Sequence, residues 1–329
     1  MLTDSKTASF LPTQPLSWYN AIVMMKIYYK TSKEKQIATF EQFKNNSWVH
    51  VEKPTQGETK MLIEEYGLDA GLLQDAADIH EVPRIEVEDG ILYIFTRFAF
   101  GNNELMDTTP MLIVMKSNCL ITVTQEPFPR LPLFLNGKIE FSTIQKNILL
   151  VKLFMQVNET YSLYLNSISR RLRTFSVRVE KIGNKDIIQF VNTENVLYDF
   201  NSALVRLHPI YNSFVKGRLL KLNEIEHDLI EDVALASNQL IQITNENLRT
   251  VVNVREAYST VMTNNLNRII KLFTSLTVLL TIPTIVGTFY GMNVQLPFAQ
   301  NGFAFPAIVL ITLLISSISF FIFLRKDWL

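Results

Sequence analysis

Along the first half of the chain, short runs with a β-like pattern of hydrophobic and polar residues are interleaved with runs that have a helical pattern. Asp89-Gly90 and Ser117-Asn118 suit hairpin turns between such runs. Glu58–Tyr66 and Leu72–Ile79 suit helices instead. Together these runs predict a mixed α/β module of about 115 residues. The predicted strands are Met25–Tyr29, Trp48–Val51, Arg84–Val87, Ile91–Phe98, Met111–Lys116 and Cys119–Thr124.

From Ser142 onward the pattern is helical, with breaks expected at Gly183-Asn184 and at Pro209–Gly217. Neither Gly nor Pro occurs from Arg218 to Ile282, which predicts one long helix. Most of that length as a helix would span on the order of 90 Å. Pro283 is tolerable in a membrane helix where neighbouring helices or hydroxyls satisfy the freed carbonyl.

Two apolar runs near the C-terminus are each close to the roughly 20 residues that a membrane-spanning helix needs. They are Leu272–Phe289 and Phe303–Leu324, and no Asp, Glu, Lys or Arg occurs from Leu272 to Leu324. Basic residues precede the first run, at Arg268 and Lys271, and follow the second run, at Arg325 and Lys326. The positive-inside rule therefore predicts a multi-pass cell-membrane protein with both termini in the cytoplasm.

Four domains follow from these patterns. Residues 1–24 are expected to be a disordered N-terminal extension, since Met1–Leu16 lacks the features of a signal peptide, and Met25 is a candidate native start. Residues 25–217 form a cytoplasmic domain with long helices, and 218–271 a stalk helix. Residues 272–329 form a two-span transmembrane domain with a short cytoplasmic tail.

Composition excludes some functions. The 329 residues include 31 Lys plus Arg and 31 Asp plus Glu, a balance that gives no argument for nucleic acid as a partner. The single cysteine, Cys119, excludes an intramolecular disulfide framework and suits the cytoplasm. Its apolar surroundings predict a buried structural thiol.

No enzyme is expected, because the chain has no phosphate-binding glycine loop, no nucleophile motif and no His/Cys metal cluster. The four histidines lack metal-ligand spacing and are interpreted as structural. They are His50, His80, His208 and His227.

Five threonines of the first apolar run recur at spacings of 3, 4, 3 and 4, so that they fall within an arc of about 80° on a helix. They are Thr274, Thr277, Thr281, Thr284 and Thr288. Asn267 extends this threonine stripe toward the cytoplasm and Asn293 closes its outer end. Close helix packing and back-bonding to the helix itself are alternatives to pore lining. The flanking asparagines favour a pore, which two spans can enclose only as a symmetric homo-oligomer.

Several motifs carry a family resemblance. Tyr290-Gly291-Met292-Asn293 follows Pro283-Thr284, a second span comes next, and Arg325-Lys326-Asp327-Trp328-Leu329 ends the chain. Upstream lie Leu73-Gln74-Asp75 and the run from Asp78 to Glu86. On these residues, the chain from about Met25 to Leu329 resembles the CorA family of magnesium channels. The resemblance implies a homopentamer with an α+β cytoplasmic funnel of αβα layering, a long stalk helix and two transmembrane helices.

The resemblance also implies passive Mg²⁺ influx along the membrane potential, with Co²⁺ or Ni²⁺ as further cargo. Gly291, Met292 and Asn293 would form the selectivity filter, whose neutral oxygens can hold a hydrated Mg²⁺ through its waters. Ile270 and Phe273 lie where the family narrows, as pore-lining candidates for a hydrophobic gate. Lys271, Arg325 and Lys326 would form a basic ring, although membrane anchoring explains these charges equally well.

In the family, aspartates of the funnel and stalk bind cytoplasmic Mg²⁺ between subunits and hold the channel closed. By spacing, these positions correspond to Asp75 and Asp232 here, which makes Mg²⁺ both the transported and the regulatory ion. The alternative for Asp232 is a solvated acidic face, because it ends an acidic run that begins at Glu224.

One departure from the family concerns the loop Val294–Gly302, which has no acidic residue where many members carry one. Ion preference among Mg²⁺, Co²⁺, Ni²⁺ and Zn²⁺ is therefore open, although Met292 favours the magnesium branch. The alternatives are a Zn²⁺ or Co²⁺ transporter of the same superfamily and a non-conducting membrane-tethered scaffold. The continuous threonine stripe argues against the scaffold.

Overall fold

The computed structural model describes residues 25–34, 36–101, 106–177, 182–294, 302–326 and 328. The predicted extension 1–24 lies outside the described residues. The chain divides into two compact units. The first takes in the described residues up to Arg170 together with Asn192–Leu248, and the second takes in Arg171–Val191 and the described residues from Arg249 onward. The domain boundaries at residues 217 and 271 remain a prediction.

Seven strands form one mixed sheet in the order β2-β1-β3-β7-β6-β5-β4. The β3–β7 pair is parallel, and the other five pairs are antiparallel. All six predicted strands are confirmed, whereas β2 escaped prediction because it is only three residues long. The strands are β1 (Met25–Tyr29), β2 (Ala38–Phe40), β3 (Ser47–Glu52), β4 (Arg84–Glu88), β5 (Ile91–Gly101), β6 (Met106–Met115) and β7 (Cys119–Thr124).

Local signals explain the turn and the two helices that accompany this sheet. Asp89 and Gly90 both have positive φ, 50° and 74°, as a type I′ hairpin turn requires. Helix α1 (Gln56–Glu64) begins at a capping box in which Thr55 and Glu58 each bind the other's backbone N–H. Helix α2 (Ala70–Asp75) ends four residues before the predicted Ile79.

Five more helices complete the fold: α3 (Leu131–Leu135), α4 (Lys146–Val177), α5 (Asn184–Val215), α6 (Glu224–Tyr290) and α7 (Ala304–Arg325). Within the first unit, α4 packs on α5 through rings, with Phe154 5.0 Å from Tyr211 between centroids. The same helix binds the first part of α6, where Asn158 Nδ2 donates to the Val233 carbonyl at 2.9 Å.

Helices cover both faces of the sheet, which agrees with αβα layering. On one face, Leu62 of α1 and Leu72 of α2 join a core cluster with Phe95 and Leu112 of the sheet. On the other, Trp48 is fully buried and lies 5.4 Å from the ring of Phe134 in α3. Tyr161 of α4 donates its hydroxyl to the Arg97 carbonyl on that same face, at 3.0 Å.

The break expected at Pro209–Gly217 is found at the end of that range, where α5 stops at Val215 and Gly217 has a positive φ of 63°, but the helix continues through Pro209 itself. A proline inside a helix removes one hydrogen bond. Here the buried neighbours Leu207, Ile210 and Tyr211 hold that turn in place by packing.

The long helix begins at Glu224, six residues later than predicted, and a capping interaction explains the start. Asn223 Oδ1 accepts the Glu226 N–H at 2.9 Å, and Glu226 Oε2 accepts the Asn223 N–H at 3.0 Å. This reciprocal pair satisfies two donors that would otherwise be unpaired. The helix then runs 67 residues without interruption, about 100 Å of rise. Its last part and α7 are long and apolar enough to cross a membrane.

Cys119 should resist alkylation in the folded protein. Its side chain is 1 % exposed, and burial raises the pKa of the thiol to about 11. Only about one thiol in a thousand is then ionised at pH 8, and the thiolate is the reactive form. We expect N-ethylmaleimide to label the detergent-solubilised protein at pH 8 only after denaturation. Labelling of the native protein at the denatured rate would contradict this burial.

Candidate functional site

The threonine stripe lies on the exposed surface of α6. Thr274, Thr277, Thr281, Thr284 and Thr288 are all exposed. Each hydroxyl donates to the carbonyl four residues earlier in the same helix, at 2.7–2.8 Å. Back-bonding, one of the alternatives considered from the sequence, therefore occurs at all five positions.

A second stripe of α6 faces the chain's other apolar helix. The least exposed residues of this part of α6 are Ser275, Leu279, Ile282 and Val286. Their counterparts on α7 are Ala304, Ile308, Thr312, Ser316, Ser319 and Phe323. At about 100° per residue, this packed stripe is centred about 150° from the threonine stripe. The threonines consequently point away from the chain's own hairpin.

Back-bonding changes what the threonine stripe offers to its surroundings. A hydroxyl has one proton to donate and two lone pairs to accept with. Because each proton is used within α6, the outward side of each hydroxyl presents acceptors only. A column of neutral oxygen acceptors suits species that donate hydrogen bonds, and the waters around a cation are such species.

The Gly-Met-Asn triplet directly follows the C-terminal end of α6. Gly291 N donates to the Gly287 carbonyl at 2.9 Å, and Met292 N donates to the Phe289 carbonyl at 3.4 Å. A Cβ at residue 291 would lie 3.2 Å from the Gly287 oxygen, closer than a side chain normally packs. Asn293 follows directly and is exposed. The helix end therefore holds this turn and presents the asparagine at its tip.

The opposite end of the stripe is also exposed. Ile270 is 52 % and Phe273 is 61 % exposed, large fractions for such apolar side chains. Asn267, Lys271, Arg325 and Lys326 are exposed as well. A hydrophobic gate and a basic ring would each require several copies of the chain, so both remain predictions.

Asp75 already has a cationic partner. Its Oδ2 lies 2.6 Å from Nη2 of Arg84. The same guanidinium also binds Glu81, and its Nε lies 2.5 Å from Glu86. Three carboxylates around one arginine leave net negative charge on this surface, so a divalent cation binding there would compete with Arg84.

Asp232 is exposed on α6 and makes no hydrogen bond or ion pair within the described part of the chain. It lines a shallow groove of the first unit together with Glu159 and Gln239. No described contact joins Asp232 to Asp75 in one chain. A site shared by the two aspartates would therefore need a second copy.

The histidines divide into two kinds. His50 is buried, 2.7 Å from Thr122 Oγ1 and 3.0 Å from Glu52 Oε1, which agrees with a structural role. The expectation that no histidine has metal-ligand spacing stays a prediction, but His227 lies beside two carboxylates, those of Asp228 and Glu231, in a group that could hold a metal ion. Positions i and i+4 of a helix are neighbours, whereas i and i+1 are not, so the sequence spacing alone indicates only the His227–Glu231 pair.

Comparison with known proteins decides the family. The chain matches the family described as CorA-like Mg²⁺ transporter protein over residues 43–326. The chain belongs to this family. The matched span includes most of the sheet, the long helix with its threonine stripe, the Gly-Met-Asn turn and α7.

Individual CorA relatives are distant in sequence but similar along almost their whole length. A cobalt/magnesium transport protein CorA of Methanocaldococcus jannaschii is 22 % identical over 289 residues, 86 % of this chain and 91 % of the relative. A magnesium transport protein CorA of Helicobacter pylori is 25 % identical over 341 residues, 93 % of this chain and all of the relative. The solved structure of the Methanocaldococcus jannaschii CorA magnesium transporter superposes with a TM-score of 0.81 at 19 % identity, covering 93 % of this chain and 99 % of that one.

Proposed function

We propose that several copies of this chain, five by resemblance to the CorA family, enclose a channel for passive Mg²⁺ influx across the cell membrane. In this proposal the threonine stripe of α6 lines the pore and Asn293 closes its outer end. The termini lie in the cytoplasm. Family membership supports divalent cation transport, and the relatives are named as magnesium or cobalt/magnesium transport proteins.

The exposure of the threonine stripe, opposite the chain's own α7, carries this proposal. A row of polar oxygens facing hydrocarbon would be unfavourable, because lipid offers these groups no hydrogen-bonding partners. Only 6 % of the apolar window of α6 is buried inside the chain, so something else must cover the helix. Copies of α6 arranged around an axis would cover it, with lipid meeting the remaining apolar faces.

The end of α6 supports cation capture without an acidic loop. A helix C-terminus carries about half a negative charge from its unpaired carbonyls. The last turn of α6 contains no basic residue that would neutralise it. Helix ends gathered around one axis would concentrate this potential at the mouth, where Asn293 adds a ring of neutral amide oxygens.

Neutral acceptors suit Mg²⁺ in particular. This ion dehydrates reluctantly, so a filter that binds its waters costs less free energy than one that strips them. Binding through water is also weak enough to permit release, which conduction requires. A membrane potential supplies about 2.3 kcal/mol per charge per 100 mV, and a divalent ion receives twice that.

For regulation, we propose that cytoplasmic Mg²⁺ joins Asp75 of one copy to Asp232 of the next and favours the closed channel. The exposure of Asp232 and its freedom from ion pairs in the described chain support it as half of such a site. The pairing of Asp75 with Arg84 adds a feature specific to this chain. Mg²⁺ has to compete with a guanidinium, which would raise the concentration needed for closure.

Cobalt is a second candidate cargo. The Methanocaldococcus jannaschii relative is named a cobalt/magnesium transport protein, and hydrated Co²⁺ resembles hydrated Mg²⁺ in charge. A filter that contacts only the hydration shell would discriminate weakly between the two. A Zn²⁺ carrier or a non-conducting scaffold has no comparable support among the described residues.

Replacing Asn293 by Ala should abolish Mg²⁺ uptake into proteoliposomes while leaving the oligomer intact by light scattering. The substitution removes the amide oxygens at the proposed filter and alters no buried contact. Asn265→Ala is the matched control, since Asn265 is also exposed on α6 but lies off the threonine stripe. Undiminished uptake by Asn293→Ala would remove the asparagine from the filter.

Combining Asp75→Ala with Asp232→Ala should weaken the block of current by cytoplasmic Mg²⁺ in excised patches. Arg84→Gln should act in the opposite direction, because it removes the cation that competes for Asp75. The proposed inter-subunit site is wrong if the double variant blocks at the same Mg²⁺ concentration as the unsubstituted protein.

A further inference from the structure

His227, Asp228 and Glu231 form a compact ligand cluster in the first turns of α6. One nitrogen of the imidazole and one oxygen of each carboxylate all lie within 4.8 Å of one another. His227 Nδ1 lies 3.7 Å from Glu231 Oε1. The proposed pore and the proposed Asp75–Asp232 site use none of these three residues.

An interaction outside the cluster fixes which nitrogen is free. His227 Nε2 lies 3.1 Å from the carbonyl oxygen of Val215, at the end of α5. A carbonyl can only accept, so Nε2 carries the proton of this hydrogen bond. In the neutral ring the lone pair is then on Nδ1, the nitrogen that faces the carboxylates.

No hydrogen bond joins the imidazole to the carboxylates that face it. At 3.7 Å, Nδ1 and Glu231 Oε1 are too far apart for a hydrogen bond. Neither Asp228 nor Glu231 accepts a hydrogen bond from any donor in the described part of the chain. One imidazole nitrogen and two carboxylate oxygens are therefore close enough together for a single cation to bind all three.

The donor set selects a class of cation. We infer that His227 Nδ1, Asp228 and Glu231 bind a borderline divalent cation, Zn²⁺, Co²⁺ or Ni²⁺, in preference to Mg²⁺. Imidazole nitrogen suits these ions, whereas Mg²⁺ takes oxygen ligands and retains its waters. Ligands held at about 2.0–2.2 Å around one ion are separated by about 3 to 4 Å, which rotamer shifts of these side chains can reach. Water would complete the coordination shell.

The Val215 carbonyl holds the imidazole from the side that faces away from the carboxylates. Metal-binding imidazoles commonly donate their other N–H to a carbonyl or carboxylate, which fixes the ring orientation. The same contact links the end of α5 to α6. A bound ion would therefore hold His227 in a fixed orientation while that contact persists.

Isothermal titration of Zn²⁺ into the detergent-purified full-length chain tests this inference, with millimolar Mg²⁺ present to occupy magnesium sites. We expect one Zn²⁺ site per chain that Mg²⁺ does not displace. His227→Gln and Glu231→Gln should each weaken it by at least about tenfold. His80→Gln is the matched control, because His80 is also exposed and lies between the acidic residues Asp78 and Glu81.

X-ray absorption of bound Co²⁺ provides a second readout. We expect the imidazole scattering signature in the unsubstituted protein and in His80→Gln, and its loss in His227→Gln. If Glu231→Gln lowers the midpoint temperature of thermal unfolding, Asp228→Asn is measured in its place. Unchanged Zn²⁺ affinity in His227→Gln, or displacement of Zn²⁺ by millimolar Mg²⁺, would overturn the site. These measurements are independent of transport and stand whether or not the chain conducts Mg²⁺.

Discussion

Hydrocarbon cannot hydrogen-bond to a column of hydroxyl oxygens, and this constraint organises the membrane part of the chain. The five threonines of α6 use their protons inside the helix, which leaves lone pairs on one exposed face. The opposite face packs on α7. One chain alone therefore leaves its polar stripe uncovered. In the proposed assembly, copies of the chain surround a water-filled axis and cover the stripe.

Most of the proposed functional residues lie on one long helix, α6. Helix α6 starts at the Asn223–Glu226 cap, binds α4 through Asn158, and ends at the Gly-Met-Asn turn without leaving helical geometry. The proposed regulatory aspartate, the His227 cluster and the threonine stripe are all on this one element.

Much of the fold was predictable from the sequence pattern, because most strands are short apolar runs bounded by turn residues and the long helix has no interior Gly or Pro before residue 283. Prediction failed where tertiary packing overrode a local signal. Buried neighbours carry α5 through Pro209, and β2 is too short, at three residues, to give a pattern. The His227 cluster was missed because positions i and i+1 do not face each other on a helix, so the sequence spacing does not show that Asp228 lies near the ring.

The filter, gate, basic ring and inter-subunit aspartate site could be predicted only by resemblance. Each requires atoms from several copies, and periodicity within one chain contains no information on their mutual distances. The single chain does show the direction in which the threonine stripe points. Its position about 150° from the α7-packed face follows from residue spacing and the burial pattern together.

Cysteine accessibility tests the central claim, that the threonine stripe lines a water-filled path, most directly. Thr281→Cys and Leu276→Cys both lie at positions exposed in the single chain, but only residue 281 is on the stripe. In proteoliposomes, a water-soluble cationic thiol reagent should inhibit Mg²⁺ uptake by Thr281→Cys and leave Leu276→Cys unaffected. Inhibition of Leu276→Cys with no effect on Thr281→Cys would contradict the account.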